Sequence, residues 1–347
     1  MVFIMENRFI GIDIVRSAAV LFTLSVHFFL LNGFYAVPVS GGTMFTMTIM
    51  RWFFFTCVPL FMIITGYLQS KKELNLSFFK GIVHIITSYL FICIFAIVFK
   101  YFYYGEKLSI IEYIFSITSF KAINYAWYVE MYLGFFMLIP FINILYNNLP
   151  SKKWKIYLIL IMISITSVSP LLNIFSSKYE YKIISDYWIV MYPFTYYFIG
   201  AFIRECQPKI NKIIGTLIVI IIVFLEAISS FNHAKGNTFD WSFLGEYNAL
   251  PTLIVATIIF LILYDIKTIK NKPINFLIRN TSIMSLDIYL VSYIFDTAFY
   301  PILNTYALDL MVKKLIFFPV IVFTSFTCSF TFSFLKKLLF DFVKKLN

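Results

Sequence analysis

Apolar segments of about 20 residues follow one another along the whole chain, and only short polar connections separate them. We expect about ten such segments, at roughly 9–32, 45–69, 78–101, 126–147, 154–171, 187–205, 211–230, 248–268, 283–303 and 312–335. They are too long and too continuous for the strands of a membrane barrel, and helices are the other structure whose backbone is satisfied in lipid. The sequence therefore predicts an all-α polytopic membrane helical bundle, with about ten transmembrane helices in one domain over residues 1–347.

Charge and cysteine content exclude several classes of partner. Only 13% of the residues are charged, against about 25% in a typical soluble protein. The formal net charge is +11, but the basic residues fall in short loops and form no basic and aromatic cluster typical of a nucleic-acid module. We therefore expect no nucleic-acid partner. The four cysteines are scattered and the three histidines are widely spaced, so we also expect no metal site.

The distribution of basic residues predicts the orientation in the membrane. Lysines and arginines concentrate in alternate connections, within 71–80, 152–155, 204–212, 267–279 and 336–345. The connection at 33–44 carries no charge, and that at 231–247 has one lysine against two acids. Because basic loops stay in the cytoplasm, we expect both termini to be cytoplasmic, as an even number of spans requires.

The first span, which contains "DIVRSAAVLFTLSVHFFL", carries three ionisable side chains. Arg16 and His27 are eleven residues apart, which is about three helical turns, so they share one face about 16 Å apart along the axis. Asp13 lies on that face three residues before Arg16. Such groups usually face the bundle interior and indicate function. A structural Asp13–Arg16 pair, with Arg16 reaching the interface, and a core His27 remain the alternative interpretation.

Four sequence blocks resemble the integral-membrane acyltransferase-3 family. "NRFIGIDIVRSAAVLFTLSVHFF" is similar to its first span, whose R-x10-H motif is matched by Arg16 and His27. "VPLFMIITGYL" resembles the block at the end of its second span, and "AWYVEMYLGFFMLIPFINIL" the block of its fourth. "TSIMSLDIYLVS" resembles its penultimate span. The blocks occur in the family order and cover essentially the whole chain.

Three positions depart from these blocks. Tyr125 stands where many relatives have histidine, Asp287 replaces a glycine, and Ser292 replaces the histidine of the penultimate-span block. The functions of those family positions are therefore not transferred to this chain.

The resemblance implies a membrane O-acyltransferase. Such an enzyme moves an acyl group, usually acetyl, from cytoplasmic acetyl-CoA to a hydroxyl of a cell-surface polysaccharide, such as a capsule, or of its lipid-linked precursor. The implied partners are acetyl-CoA as a co-substrate, the glycan and the lipid bilayer, with no bound cofactor. The implied location is a bacterial plasma membrane, which the protein crosses many times.

The same resemblance suggests catalytic and donor-binding residues. A neutral imidazole suits His27 for deprotonating the attacking hydroxyl or for carrying the acyl group itself. We assign Arg16, oriented by Asp13, to a polar part of coenzyme A. Lys71 and Lys72 can attract its phosphates at the inner end of the bundle, or they serve only as topology signals.

Four further residues are candidates on the acceptor side. Arg51 either extends its side chain to the outer surface or binds the acceptor. Glu130, in the fourth span, is either an interhelical partner or an acceptor-site residue, and Trp127 opens the same block. Asp287 lies within the ninth span.

Two other classes of protein also fit a basic polytopic bundle with buried charges. One is a transporter or exporter of a polysaccharide or a lipid-linked sugar. The other is a structural membrane subunit that recruits a separate synthase. Only the enzyme requires an acyl donor and His27.

Overall fold

The computed structural model of the chain describes residues 9–174, 182–241, 243–305 and 310–346. These residues form α-helices and contain isolated bridges but no β-strand, so the predicted all-α class is confirmed. The helices are α1 (Ile10–Leu31), α2 (Gly41–Phe54), α3 (Cys57–Gln69), α4 (Leu76–Phe79), α5 (Gly81–Tyr103), α6 (Ile110–Thr118), α7 (Trp127–Asn147), α8 (Lys152–Ile163), α9 (Ser169–Ile174), α10 (Tyr192–Cys206), α11 (Lys212–His233), α12 (Leu250–Leu263), α13 (Lys272–Ile283), α14 (Ser285–Thr305) and α15 (Met311–Leu346).

Eight helical segments of the described chain are long and apolar enough to cross a membrane, which confirms a polytopic bundle. They are Ile10–Ala36, Gly41–Gln69, Leu76–Tyr103, Asn124–Asn147, Lys152–Leu172, Lys212–Ala234, Ser285–Thr305 and Met311–Val343. The other two predicted spans, 187–205 and 248–268, coincide with α10 and α12, which have 15 and 14 residues. At 1.5 Å per residue these helices are about 22 and 21 Å long, shorter than a hydrocarbon core of about 30 Å.

The described chain divides into two compact units, each assembled from separate stretches of sequence. The first unit comprises the described residues of Met1–Ser70 and Leu149–Ile283, and the second those of Lys71–Asn148 and Met284–Asn347. Helices α1 to α3 and α8 to α13 therefore build the first unit, and α4 to α7 with α14 and α15 build the second. The single domain over residues 1–347 stays a prediction.

In the first unit, α3 and α10 pack with their backbones in close approach. A Cβ atom added at Gly66 would lie 2.0 Å from the carbonyl oxygen of Tyr197, and one added at Gly200 would lie 2.1 Å from that of Ile63. Both distances are far below van der Waals contact, so only glycine fits. Small residues of this kind let membrane helices pack closely where lipid supplies no hydrophobic driving force between them.

The second predicted span is interrupted in its middle. Helix α2 ends at Phe54 and α3 begins at Cys57, with Pro59 in the first turn of α3. Proline has no backbone N–H, and its ring collides with the carbonyl four residues earlier, here that of Phe55. The interruption leaves Arg51 in the last turn of α2.

The second unit has a polar core of its own. Lys336 of α15 lies 2.6 Å from a carboxylate oxygen of Asp287 in α14, and it also donates to Ser88 of α5 at 2.9 Å. Further along α14, Asp296 accepts hydrogen bonds from Tyr125 at 3.0 Å and from Ser325 of α15 at 2.5 Å. These contacts connect helices that are far apart in the sequence.

Candidate active site

The ionisable face of the first span lies on one unbroken helix. Because α1 runs from Ile10 to Leu31 without interruption, Asp13, Arg16 and His27 share one face, with Arg16 and His27 about 16 Å apart along the axis. Asp13 and His27 are buried, with 4% and 7% of their surface exposed, and Arg16 is half-buried. The face therefore points into the protein.

A serine from α13 connects the two charges at the start of this face. Ser282 Oγ donates a hydrogen bond of 2.6 Å to Asp13 Oδ1 and accepts a longer one of 3.4 Å from Arg16 Nη1. One turn away, Ser17 Oγ donates to the backbone carbonyl of Ile278 at 2.9 Å. Helix α13 thus contacts the first turns of α1, and Ser282 links the Asp13 carboxylate to the Arg16 guanidinium.

Sequence reasoning missed both Ser282 and the helix that carries it. The sequence predicts a basic cytoplasmic connection before the ninth span, whereas residues Lys272–Ile283 form α13. A signal was present, because Ser282 belongs to the family block "TSIMSLDIYLVS".

A second arginine of the first unit lies near the beginning of α1. Arg204 of α10 donates from Nη1 to the hydroxyl of Tyr67 at 3.4 Å, and its Cζ lies 4.8 Å from the ring centre of Phe9, the residue before α1. In the sequence Arg204 counted only as a topology signal. Here it adds a second guanidinium at the end of α1 that carries Arg16.

Lys71 and Lys72 follow α3 as the first residues of the second unit. Both side chains are exposed, and the backbone carbonyl of Lys72 accepts a hydrogen bond of 2.8 Å from the Asn143 side chain. That contact holds the backbone of the connection and leaves the exposed amino groups of the two lysines outside the protein interior. Their donor-binding function stays a prediction.

Arg51 is fully buried, with none of its surface exposed. The interpretation in which its side chain extends to the outer surface is therefore wrong. Its Cζ lies 3.9 Å from the ring centre of Phe55 and 4.1 Å from that of Trp52, and its Nε donates to the Tyr35 hydroxyl at 3.3 Å. The cost of burying the charge is thus met in part by cation–π contacts.

The three acceptor-side candidates of the second unit have different environments. Trp127 and Glu130 lie in the first turn of α7, and both are exposed. The side chain of Asp287 is only 13% exposed and is ion-paired with Lys336. The pair gives Asp287 a structural function, and the acceptor function of all three residues stays a prediction.

The residues of α1 are chemically suited to proton transfer and to anion binding. Among the described residues, no group of three or more histidine, cysteine, aspartate or glutamate side chains is placed to hold a metal ion. A buried imidazole can exchange a proton with a reacting hydroxyl, and a guanidinium three turns away can bind an anionic part of a substrate.

Comparison with known proteins identifies the family of the chain. A family model described as an acyltransferase domain matches residues 9–334. Searches of curated proteins and of solved structures gave no match. The match includes the α1 face, the glycine of α3 and Ser282, and it extends over most of the chain. The protein therefore belongs to the acyltransferase-3 family of integral-membrane acyltransferases.

Proposed function

We propose that this protein is an O-acetyltransferase of a bacterial plasma membrane. It transfers the acetyl group of cytoplasmic acetyl-CoA to a hydroxyl of a surface polysaccharide or of its lipid-linked precursor. The observation that carries the proposal is the α1 face, on which buried His27 and the Ser282-bridged Asp13 and Arg16 lie on one continuous helix of a membrane acyltransferase.

Arg16 is the donor-binding residue in this mechanism. The bridge through Ser282 and Asp13 holds its guanidinium in one orientation, so little side-chain entropy is lost when it binds a phosphate of coenzyme A. Arg204 adds positive charge to the same unit as Arg16, and Lys71 and Lys72 attract the anionic donor from solution. An extended pantetheine arm spans the distance of about 16 Å from Arg16 to His27 and brings the thioester to the imidazole.

His27 transfers the proton in the reaction. The imidazole removes the proton of the acceptor hydroxyl while the oxygen attacks the thioester carbonyl carbon. A C–O bond forms and the C–S bond breaks, and the imidazolium then returns the proton to the departing thiolate. In the alternative sequence the imidazole first takes the acetyl group from sulfur and then passes it to the hydroxyl.

The test is the O-acetyl content of the surface glycan, measured by proton NMR before and after mild base. Strains carry the wild type, a deletion, His27→Ala, or His84→Ala at matched membrane levels. His84 is a matched control because it is a histidine on α5 whose side chain is exposed. We expect the acetyl signals to disappear in the deletion and in His27→Ala, and to remain in His84→Ala.

Two results would contradict the proposal. If the glycan stays acetylated in the deletion strain and its surface amount falls, the protein transports sugars. If His27→Ala restores full acetylation to the deletion strain, the protein instead recruits a separate acetyltransferase or uses another base.

A further inference from the structure

The side chain of Arg51 is enclosed by rings from three segments of the first unit. Around the guanidinium lie Tyr35, Trp52, Phe55, Phe239 and Trp241, which we call the aromatic box. The Cζ atom is 3.9–5.2 Å from the centres of the Trp52, Phe55, Phe239 and Trp241 rings. These rings contact the faces of the guanidinium, and the Tyr35 hydroxyl accepts from its Nε edge.

The other edge of the guanidinium has no hydrogen-bond acceptor. Nη1 and Nη2 of Arg51 are both buried, and neither finds an acceptor in the part of the chain that the structure describes. Burying a cation with unsatisfied donors is unfavourable, and the cation–π contacts stabilise the charge without supplying acceptors for these N–H groups. The two Nη atoms present parallel N–H groups, the arrangement that binds a carboxylate or a phosphate in two places.

Glu226 of α11 is connected to this network through Ser230 but forms no direct ion pair with Arg51, both residues being within the described ranges. Trp52 donates from Nε1 to Ser230 at 3.0 Å, and Glu226 precedes Ser230 by one turn of α11. Glu226 accepts a hydrogen bond from Thr252 at 3.2 Å. Glu226 attracts Arg51 electrostatically without contacting it, so the Nη1 and Nη2 donors of Arg51 remain available to an anion.

The aromatic box is covered by two rings that are only half-buried. Tyr35 and Trp241 stack on each other with their centres 4.1 Å apart, and both reach solvent. They belong to the connections 32–40 and 234–249, which meet through hydrogen bonds of Val39 with Asn237 and Gly236. In the predicted orientation both connections are on the outer side, where an acceptor glycan arrives.

We propose that Arg51 and the aromatic box bind an acidic sugar, with its carboxylate or phosphate on Nη1 and Nη2 and its ring against Trp241. Aromatic rings provide the flat apolar surface on which sugar rings rest, and the guanidinium edge provides the charge-assisted hydrogen bonds. The inference rests on the proposed function only in taking the acceptor glycan as the source of the anion.

Binding is measured on the purified full-length protein in a neutral detergent, without acetyl-CoA. Trp52 and Trp241 contact the guanidinium, so tryptophan fluorescence reports occupancy of the aromatic box. The probes are glucuronate, glucose 1-phosphate, glucose, acetate and phosphatidylglycerol. We expect saturable changes with the two acidic sugars, at concentrations at least tenfold below those at which glucose or acetate acts.

The matched variants are Arg51→Lys and Arg279→Lys. Arg51→Lys keeps the buried charge and the cation–π contacts but removes the two-pronged geometry, so we expect about tenfold weaker binding of the acidic sugars. Arg279→Lys makes the same exchange on α13, outside the aromatic box, and should bind like the wild type. If Arg51→Lys does not fold, the comparison of probes on the wild type still tests the proposal.

Three results would overturn the inference. They are binding of glucose or acetate as tight as that of the acidic sugars, unchanged affinity in Arg51→Lys, and an Arg51-dependent response to phosphatidylglycerol alone, which would assign the site to a lipid headgroup. His27→Ala should bind the acidic sugars normally. The two proposals can therefore fail separately. If only this inference is wrong, the acidic sugars do not bind as expected while acetylation still depends on His27. If only the proposed function is wrong, acetylation does not depend on His27 while the acidic sugars still bind.

Discussion

At the scale of single residues, the orientation of Arg16 depends on a side chain 266 positions later in the sequence. The hydroxyl of Ser282 donates its proton to Asp13, and its oxygen lone pair accepts a hydrogen bond from Arg16. A buried carboxylate and a guanidinium joined in this way form a small network, in which each contact strengthens the next. Ser282 is thus a positioning residue for the proposed donor site.

We expect Ser282→Ala to raise the KM for acetyl-CoA several-fold while changing kcat little, because Arg16 loses its fixed orientation and His27 is untouched. Stability should fall by about 1–3 kcal/mol, since buried Asp13 loses a hydrogen-bond donor. Steady-state kinetics in proteoliposomes with a donor titration measures the split between KM and kcat.

Ser17→Ala provides the control for this prediction. It removes the hydrogen bond to the Ile278 carbonyl on the same helix interface but leaves the bridge to Arg16 in place. An equal rise of the KM in both variants would show that Ser282 acts only through the packing of α13 on α1.

The ion pair between Asp287 and Lys336 is also decided by individual side chains. Lys336→Met leaves a carboxylate without its cation in a site where only 13% of the Asp287 side chain is exposed. We expect a loss of about 3–5 kcal/mol in the free energy of unfolding. The effect is measured by thermal unfolding in detergent. A thiol dye that reacts with the buried cysteines as they become exposed monitors the unfolding.

The double variant Asp287→Leu/Lys336→Met distinguishes a paired charge from simple packing. With both charges removed, no ion remains buried, so the double variant should be more stable than either single variant. If the double variant instead loses as much stability as the two single variants together, the structural function that we assign to the pair is wrong.

At the scale of elements, two glycines determine how closely α3 and α10 pack. Gly66→Ala would place a methyl carbon 2.0 Å from the Tyr197 carbonyl oxygen, so the helices must separate. Overpacking of this kind costs about 1–3 kcal/mol, and the separation moves backbone on both helices. We expect a clear fall of the Tm in detergent and reduced acetylation in cells.

Gly134→Ala is the matched control for this element. Gly134 lies within α7, and an added Cβ atom meets no heavy atom within 4 Å. Alanine is the better helix former by about 1 kcal/mol, so the variant should be as stable as the wild type or slightly more stable. Equal destabilisation by the two substitutions would mean that helix propensity, and not close packing, explains the effect at Gly66.

The boundaries of most elements were predictable, because they follow local hydropathy. The predicted spans 9–32 and 126–147 correspond to α1 at Ile10–Leu31 and to α7 at Trp127–Asn147. The interruption between α2 and α3 was not predicted, although Pro59 marks it, because an apolar segment around a proline still reads as one span. Helix α13 was missed because its polar composition resembles that of a loop.

At the scale of the whole molecule, the positions of the basic residues predict the orientation in the membrane. We expect Gly42→Cys, in a background without the four native cysteines, to react with a membrane-impermeant maleimide in intact cells. Lys153→Cys should react only after the membrane is permeabilised. Both positions are exposed, so a difference in labelling reports the side of the membrane.

The reverse labelling pattern would place the termini outside. It would also move the aromatic box to the cytoplasmic side and Arg16 to the outer side. The donor and acceptor sides of the proposed function would then be exchanged, while the residues of the two sites would stay as described.

The sequence by itself determined the class of the molecule and the ionisable face of α1. Apolar length and loop charge act through the cost of placing each segment in lipid, which is a local property, so spans and orientation can be predicted from them. The face that holds Asp13, Arg16 and His27 needs only the period of one helix. Its functional meaning came from the motif resemblance, which the match over residues 9–334 confirmed at the level of the family.

Only the tertiary structure decided which residues from distant parts of the chain contact Arg16, Arg51 and the glycines of α3 and α10. The bridge through Ser282, the close approach of α3 and α10, and the aromatic box around Arg51 all join segments that are far apart in the chain. Such contacts depend on how helices pack, and their side chains carry no periodic pattern that reveals the partner. Arg51 is the clearest case, because a lone arginine near a span end has the same sequence context whether it reaches the surface or is fully buried.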